Sequence, residues 1–317
     1  MSNPSMYKKV LVTGGSGLVG KAIQRISNQY YFHFIFLSSQ DADLKSYDQT
    51  LACFQEKKPD YVIHLAAQVG GLYKNMNHQV TMLEDNLLMN LNVLKVCHQL
   101  NIQKVICCLS TCIYPSQVTY PIQEEMLHQG PPHNSNYGYS YAKRMLEVQC
   151  RAYQECFKRD YLCVIPTNIY GENDNFSLEN GHLIPALIHQ CYLSHLKGTP
   201  FPIKGSGQAR RQFIYAPDLA KIIIWMLEGY SGKDSLIACP PGENEYSVLE
   251  VAELIRNNFE PKPEIIPQKE YPEGQMKKTV NAEKLHKLLP EFQFTTLEKG
   301  IEKTVKWFRE TYPKCRL

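Results

Sequence analysis

Tyr139 and Lys143 stand four residues apart in Tyr139-Ser140-Tyr141-Ala142-Lys143. On a helix that spacing puts both side chains on one face. A lysine ammonium beside a phenol favours the phenolate and lowers its pKa from about 10. Tyr139 so placed can donate a proton to the alkoxide that hydride transfer makes from a ketone, and Lys143 can also hold a ribose. The chain has 20 tyrosines, yet Tyr139 alone is followed by a lysine at the fourth position, so the pair stands out from its background. Ser110-Thr111-Cys112 adds a hydroxyl, on Ser110, for binding the carbonyl oxygen.

A hydride needs a carrier, and Thr13-Gly14-Gly15-Ser16-Gly17-Leu18-Val19-Gly20 is built to hold one. Gly14 permits a tight turn, Gly17 lets a pyrophosphate reach the backbone, and Gly20 lets the following helix pack on the strand. The helix N-terminus then offers free N–H groups and positive dipole to the phosphates. The pattern predicts a dinucleotide site. An NAD site places an acidic residue about 20 residues further on, against the ribose 2′-hydroxyl. Phe36-Leu37-Ser38-Ser39-Gln40 has no carboxylate there, and its hydroxyls tolerate a 2′-phosphate. That favours NADP(H), with Lys45 as a candidate counter-charge and Asp43-Leu44 beside the adenine.

These residues must be positioned by alternating strands and helices. Val10 to Thr13, Phe32 to Leu37, Tyr61 to Leu65, Lys104 to Leu109 and Tyr161 to Ile165 read as strands. Leu18 to Asn28, Tyr47 to Lys57, Gln79 to Leu100 and Tyr137 to Phe157 read as helices, by apolar residues recurring at helical spacing. Repeated βα units imply a parallel sheet with helices on both faces, ligands lying beyond the strands' carboxyl ends. The residues after those ends include Gly14, Ser38, Ala66, Ser110 and Pro166, which is where the chemistry-bearing motifs fall. Beyond about residue 170 the regular alternation stops, and Gly171-Glu172-Asn173-Asp174-Asn175 opens a less regular stretch. A second, smaller domain is expected there. Pro217 to Glu228 is apolar enough to pack back onto the first.

With 317 residues the chain has room for about two domains. Lysine and arginine total 34 against 31 acidic residues, a net charge of +3, which gives no reason to expect nucleic-acid binding. The 11 cysteines are odd in number and mostly sit in apolar segments, so they read as thiols in a reducing, cytoplasmic setting. Met1 to Lys9 is polar and runs into a strand, so no signal peptide is expected. No apolar run approaches the roughly 20 residues of a membrane helix. Neither membrane nor metal is expected as a partner. Cys107 and Cys108 read as core, His64 as a buttress of the glycine loop, and His133 as a possible substrate contact.

Taken together, the glycine loop, His64-Leu65-Ala66-Ala67, Ser110, Tyr139 with Lys143, and Pro166-Thr167-Asn168-Ile169-Tyr170-Gly171 resemble the extended short-chain dehydrogenase/reductase family from end to end. Four further stretches narrow the resemblance: Val69-Gly70-Gly71, Leu109 to Pro115, Gly130 to Asn136, and Asp174-Asn175-Phe176 with Gly181-His182. They are similar to the branch that both epimerises and reduces GDP-4-keto-6-deoxy-D-mannose.

The resemblance implies a Rossmann-type, doubly wound α/β fold with a smaller C-terminal α/β domain. Residues 1–170 would bind NADP(H), with 212–238 packing back onto them, and 171–317 would bind the GDP-sugar. The cofactor is then expected on Gly14, Gly15, Ser16, Gly17, Leu18, Val19 and Gly20. Its other expected contacts are Ser38, Ser39, Asp43, Leu44, Leu65, Ala66, Ala67, Leu109, Tyr139, Lys143, Pro166, Thr167, Asn168, Ile169 and His182. The substrate is expected on Ser110, Thr111, Cys112, Tyr139, Asn168, Gln190, Lys204, Arg211 and Asn281. Arg211 matches the family's diphosphate arginine. Lys204 departs from the family, which often has Trp there, and Asn281 stands where some members carry Asp.

The implied catalytic set is Ser110, Cys112, Tyr139, Lys143 and His182. Cys112 and His182 match the family's base and acid for inverting C3 and C5 through enolates. Reduction of C4 by NADPH then gives GDP-L-fucose. Hydrogens beside a ketone are acidic, and a thiolate is a competent base once a nearby cation lowers its pKa from about 8.5. A homodimer through Gln79 to Leu100 and Tyr137 to Phe157 is also implied. Two other readings stay open from sequence. One is a different NAD(P)-dependent sugar-nucleotide epimerase, dehydratase or reductase on the same scaffold. The other is a non-catalytic cofactor-binding scaffold.

Overall fold

The computed structural model describes residues 7–232, 234–242, 245–272 and 274–317. Short runs rich in Val, Ile, Leu and Phe pair as a six-stranded parallel sheet. Its strands are β1 (Lys8–Thr13), β2 (Phe32–Phe36), β3 (Tyr61–His64), β4 (Lys104–Cys108), β5 (Asp160–Pro166) and β10 (Leu236–Ala238), in spatial order β10-β5-β4-β3-β1-β2. Val10, Leu11 and Val12 of β1 are wholly buried, as a strand covered by helices on both faces requires. One helical layer holds α2 (Tyr47–Lys57), α4 (Gln79–Gln99) and α5 (Tyr137–Phe157), and the other packs α1 (Leu18–Ile26) on α7 (Ala216–Glu228). The short helix α3 (Leu72–Asn77) leads into α4. After β2 the chain crosses back over β1 to form β3, so the crevice for ligands opens beyond the carboxyl ends of β1 and β3.

The remaining elements are β6 (Asn168–Tyr170), α6 (Leu183–Lys197), β7 (Phe201–Lys204), β8 (Arg210–Arg211), β9 (Phe213–Tyr215), β11 (Tyr246–Ser247), α8 (Val248–Arg256), β12 (Ile265–Gln268), α9 (Glu283–Leu288) and α10 (Leu297–Thr311). They pair two by two: β6 with β9, β7 with β12, β8 with β11. A second core gathers Phe176, Ile188, Phe201, Ile255, Phe259, Ile301 and Phe308. Asp218, buried in the first turn of α7, accepts from the Thr295 amide at 2.7 Å and the Thr295 hydroxyl at 3.2 Å. That ties α7, which belongs to the sheet core, to the segment entering α10.

Several boundaries differ from the sequence reading. α1 ends at Ile26 and tightens into a 3-10 turn over Ser27–Gln29. Leu37 leaves the strand, its amide bonding to Val12 and its carbonyl accepting from Gly15. The sixth strand, β10, was not expected from sequence: three residues carry too short a pattern, and their pairing with Val164 to Pro166 is what makes them a strand. All eleven cysteines are free thiols, nine of them buried. Among the described residues, no helix is long and apolar enough to cross a membrane.

Candidate active site

The glycine loop leaves β1 and enters α1 with Gly14 at φ +67°. A side chain at Gly14 would meet the Ala66 amide at 2.8 Å, and one at Gly20 would meet the Gly14 carbonyl and the Gly15 backbone at 2.6 Å. Gly17 is different: only the Gly14 carbonyl, at 3.3 Å, lies near its missing side chain, so that face of the loop is open to a ligand. Gly15 turns inward against Phe36 and does not line the cavity. The loop is held from beneath. Thr13 Oγ1 accepts the Leu65 and Ala66 amides, each at 3.2 Å, and lies 2.8 Å from His64 Nδ1. Because Thr13 Oγ1 takes two donors, its own proton goes to Nδ1, and His64 Nε2–H donates to Asn90 Oδ1 at 3.0 Å. Burial and the neighbouring Lys143 push the His64 pKa down to about 3, so the ring is a neutral relay.

α4 supplies three buried asparagines to this frame. Asn86 clasps the Gln68 backbone from both sides, Asn90 holds His64, and Asn92 donates to the carbonyls of Leu44 at 3.0 Å and Lys45 at 2.8 Å. Asn86 and Asn92 thereby pin loops that border the cavity. At the end of β2, the Ser38 amide and hydroxyl both donate to Asp41, at 2.7 and 2.8 Å. Those bonds hold the Asp41 carboxyl below its usual range. Lys45 pairs with Asp85 at 3.6 Å.

Ser110-Thr111-Cys112 follows β4, as the sequence predicted; Thr111–Ile113 form one turn of 3-10 helix with Ser110 as its N-cap. The Ser110 hydroxyl accepts the Cys112 amide at 3.4 Å. α5 clamps the far side: the Ser140 hydroxyl donates to the Cys112 carbonyl at 3.0 Å, and Arg144 Nε to the Ile113 carbonyl at 2.5 Å. Lys143 is 2% exposed and donates to the Cys108 carbonyl at 2.8 Å. Its Nζ lies 5.9 Å from the Tyr139 ring centre. The expected lowering of Tyr139 by Lys143 does not occur here. Burial pushes the phenol well above its ordinary value, with the Cys112 and Cys108 thiols acting in the same direction. Lys143 is itself lowered by burial. Tyr139 is therefore held as a protonated phenol, which is the form a proton donor needs.

His182 caps α6 on a separate wall. Enclosure in the cleft lowers its pKa; a hydrogen bond to the Gly70 backbone opposes this, and Arg316 and Lys74 reinforce it. The Gly70-Gly71 turn fits against Asn180-Gly181, with the Gly71 amide donating to the Asn180 carbonyl at 3.2 Å. A side chain at Gly71 would strike the Gly181 carbonyl, so the glycine allows this approach. Arg316, next to the chain end, is anchored by the Phe176 amide at 2.8 Å and reaches the cavity beside Ser16.

Asp174 lies in the same wall. Its Oδ1 accepts the Asn175 amide at 2.7 Å, and its buried Oδ2 has no hydrogen-bond partner. Burial raises its pKa from 3.8 to about 7, against the Asn175 bond and Arg316. The folded pKa exceeds the unfolded one, so stability falls as pH rises from about 4 to about 7 and then levels off. Replacing Asp174 with Asn removes that dependence. Thermal melts of the cofactor-free protein should show the variant gaining on the wild type between pH 4.5 and pH 8, by up to about 4 kcal/mol. An offset that is the same at both pH values would refute it.

The third wall is a strap, residues 274–281, lying between two other segments. On one side Gln275 donates to the Ser116 carbonyl at 3.4 Å, and the Ile122 amide to the Thr279 carbonyl at 2.8 Å. On the other side the Arg210 amide donates to the Met276 carbonyl at 2.9 Å, and Gln212 Oε1 accepts the Val280 amide at 2.8 Å. The strap presents Lys278 to the cavity alongside Arg211, His133 and Cys112. Asn281, expected there, lies off the cavity: its Oδ1 accepts the Glu283 amide at 2.7 Å at the start of α9. Lys204, at the position where Trp was noted, has Nζ 4.9 Å from the Tyr73 ring centre and 5.4 Å from that of Tyr271. An aromatic surface is thus present beside it, contributed by other segments.

The walls enclose a cavity of about 1280 Å³. Ligand pockets run to about 300–1,000 Å³, so this cavity exceeds what a single small ligand needs. Ser110, Thr111, Cys112, Tyr139, Lys143, Asn168, His182, Gln190, Lys204 and Arg211 all line it. So do Gly14, Ser16, Gly17, Leu18, Val19, Gly20, Ser38, Ser39, Asp43, Leu44, Leu65, Ala66, Ala67, Leu109, Pro166, Thr167 and Ile169. Sequence reasoning missed Lys278, Arg316 and Asp174. Lys278 and Arg316 carry no local signal, and Asp174 was noted only within a motif. The α4 asparagines did leave one, as polar residues at apolar spacing.

A dinucleotide loop of this kind, on this strand order, with a Ser–Tyr–Lys set at the strand ends, has close counterparts. Residues 10–238 match the NAD dependent epimerase/dehydratase family. GDP-L-fucose synthase of Dictyostelium discoideum is 44% identical, covering 100% of both chains. A probable GDP-L-fucose synthase of Drosophila melanogaster is 43% identical over 98% of this chain and 99% of its own. The crystal structure of a GDP-L-fucose synthetase from Naegleria fowleri bound to NADP superposes with a TM-score of 0.93 at 41% identity, covering 100% of this chain and 97% of that one. On these matches and the site they share a frame with, the chain belongs to the NAD dependent epimerase/dehydratase family.

Proposed function

We propose that this protein converts GDP-4-keto-6-deoxy-D-mannose to GDP-L-fucose, by 3,5-epimerisation followed by NADPH-dependent reduction of the C4 ketone. The observation that carries the reading is one cavity holding Ser110, Cys112, Tyr139 and Lys143 on one wall and His182 on another. A plain ketoreductase needs only the first wall's Ser–Tyr–Lys set; a base and an acid on separate walls suit inversion at carbon. Full-length similarity to proteins named for this activity supports the substrate.

Cys112 takes the proton from C3 and then C5, and His182 returns one to the opposite face each time. Ser110 and Tyr139 hydrogen-bond the enolate oxygen at C4 while charge sits there. NADPH, bound along the glycine loop, supplies the hydride for C4. Tyr139 gives its phenolic proton to the C4 oxygen, and Lys143 holds the cofactor ribose. Arg211 takes the diphosphate, for which a planar guanidinium is suited. Thr111, Asn168, Gln190 and Lys204 border the sugar and nucleotide.

The open face at Gly17 and the hydroxyls of Ser38 and Ser39 suit NADP(H), since Asp41 is turned onto Ser38 and is not among the cavity-lining residues. Residues 1–170 with 212–238 form the cofactor unit in this reading, and 171–317 the substrate unit; the two cores follow this division in the main, while Tyr170, Phe213 and Tyr215 pack in the second core and Val280, Ala282 and Leu285 in the first. Two copies associate through α4 and α5, where Leu88, Leu91, Tyr137, Tyr141 and Met145 are exposed. The free thiols suit a cytoplasmic enzyme.

The test is NADPH oxidation with GDP-4-keto-6-deoxy-D-mannose in D₂O. Oxidation with deuterium at C3 and C5 of the product is expected. Oxidation without deuterium would reduce the protein to a 4-ketoreductase, and no oxidation by a folded protein would sink the proposal.

A further inference from the structure

The cavity wall made by β7 and β12 carries polar side chains that the reaction itself does not use. Lys204 and Gln268 are directly opposed where β12 pairs with β7, and both line the cavity. Opposed residues of a sheet project to the same face, so the ammonium and the amide stand side by side. The strands are braced behind them. Phe201 and Ile203 pack into the second core, and the Gly205 amide donates to the Gln268 carbonyl at 2.8 Å.

Tyr73 of α3 closes this corner. Its hydroxyl donates to the Pro272 carbonyl at 3.4 Å, and its ring centre lies 4.9 Å from Lys204 Nζ. Tyr271 sets a second ring centre 5.4 Å from the same nitrogen. Rings hold a cation through their faces and leave its N–H donors available to a ligand. Tyr73 itself also lines the cavity. The corner adjoins Arg211: a side chain at Gly274 would meet Leu72, the neighbour of Tyr73, at 3.5 Å and Arg211 Nη2 at 3.7 Å. A nucleoside diphosphate with its phosphates on Arg211 can therefore carry its base to Lys204, Gln268 and Tyr73.

We propose that Lys204 makes this corner select guanine over adenine. Its ammonium donates to O6 and N7 of the base, Gln268 Oε1 accepts from N1–H and the 2-amino group, and Tyr73 offers a ring face for stacking. An ammonium has three donors and no acceptor. Guanine presents acceptors at O6 and N7, whereas adenine puts an amino donor where O6 would be. That donor leaves the ammonium facing it unpaired. Stacking does not discriminate, because every base has a π-face, so the choice between purines falls to Lys204. The Trp noted at this position in the family has a ring and a single N–H donor. Here the rings come from Tyr73 and Tyr271, and an ammonium is added. The inference rests on the proposed GDP-sugar substrate, but its test uses nucleoside diphosphates without turnover, so the two can fail separately.

Isothermal titration calorimetry of the NADPH-loaded enzyme with GDP, IDP and ADP is the test. IDP shares O6 and N7 with GDP. The wild type should bind both more tightly than ADP by at least about tenfold, the scale of one well-placed base contact. Lys204→Met should weaken GDP and IDP by about tenfold and leave ADP within about twofold. Lys204→Arg should keep the preference, and Tyr73→Leu should weaken all three ligands alike. Lys204 is exposed, so its replacement leaves both cores intact, which thermal melts and NADPH affinity verify. Equal loss of all three ligands in Lys204→Met would put the ammonium on the diphosphate and overturn the proposal. An unchanged GDP-to-ADP ratio would overturn it too, as would a folded wild type that binds no GDP. Selection of GDP without turnover of the keto-sugar would sink the proposed reaction and leave this inference standing.

Discussion

Tyr139→Phe lowers the rate of C4 reduction by about a thousandfold, the scale of a lost general acid, while leaving NADPH affinity within about twofold. The ring of Tyr139 stays, and so do the Lys143 bond to Cys108 and the Ser140 bond to Cys112 that shape the turn. What disappears is one phenolic proton. Burial keeps that proton on the oxygen in the wild type, so the loss is felt across neutral pH rather than at one end of it. Stopped-flow NADPH oxidation measures the effect, and cofactor fluorescence titration supplies the control. Solvent deuterium should still enter C3 and C5, though more slowly, because Ser110 remains to hold the enolate oxygen. A variant that reduces at the wild-type rate would remove Tyr139 from the mechanism.

Cys112→Ser separates the two halves of the reaction. A hydroxyl in place of the thiol keeps the side chain's shape but ionises far less readily, so proton abstraction should slow by at least about a hundredfold. The turn survives, because its bonds run through the Cys112 backbone to Ser110 and Ser140. Deuterium incorporation at C3, followed by NMR in D₂O without NADPH, reads this step alone. With NADPH present, reduction of the unepimerised ketone gives a product with C3 and C5 uninverted. Wild-type exchange in the variant would show that another group is the base.

The cofactor half of the site was legible because its signals are local. The three glycines act through the turn they form and the close approaches they permit, all within one strand–loop–helix unit. Tyr139 and Lys143 share a face of α5 for the same reason. The effect of Lys143 on Tyr139 was not legible. Spacing places two groups on a face but says nothing of burial, and burial decides the phenol's ionisation here. The substrate side was less readable still. Asn281 bonds the Glu283 amide just before α9 and is not among the residues lining the cavity, whereas Lys278, three positions earlier, lines it.

From sequence alone came the alternating βα order, the dinucleotide loop, the Ser–Tyr–Lys set and the family resemblance, because each is carried by neighbours along the chain. The tertiary structure decided what lies across the cavity from what. The Gly70-Gly71 turn packs against Gly181, beside His182, only because Gly71 has no side chain to strike it. Asp174 becomes a carboxyl titrating near neutrality only through burial. Lys278 borders the cavity only because a strap far along the chain is bonded between two other segments. Contacts of this kind depend on packing and desolvation between distant segments, and no local spacing encodes them.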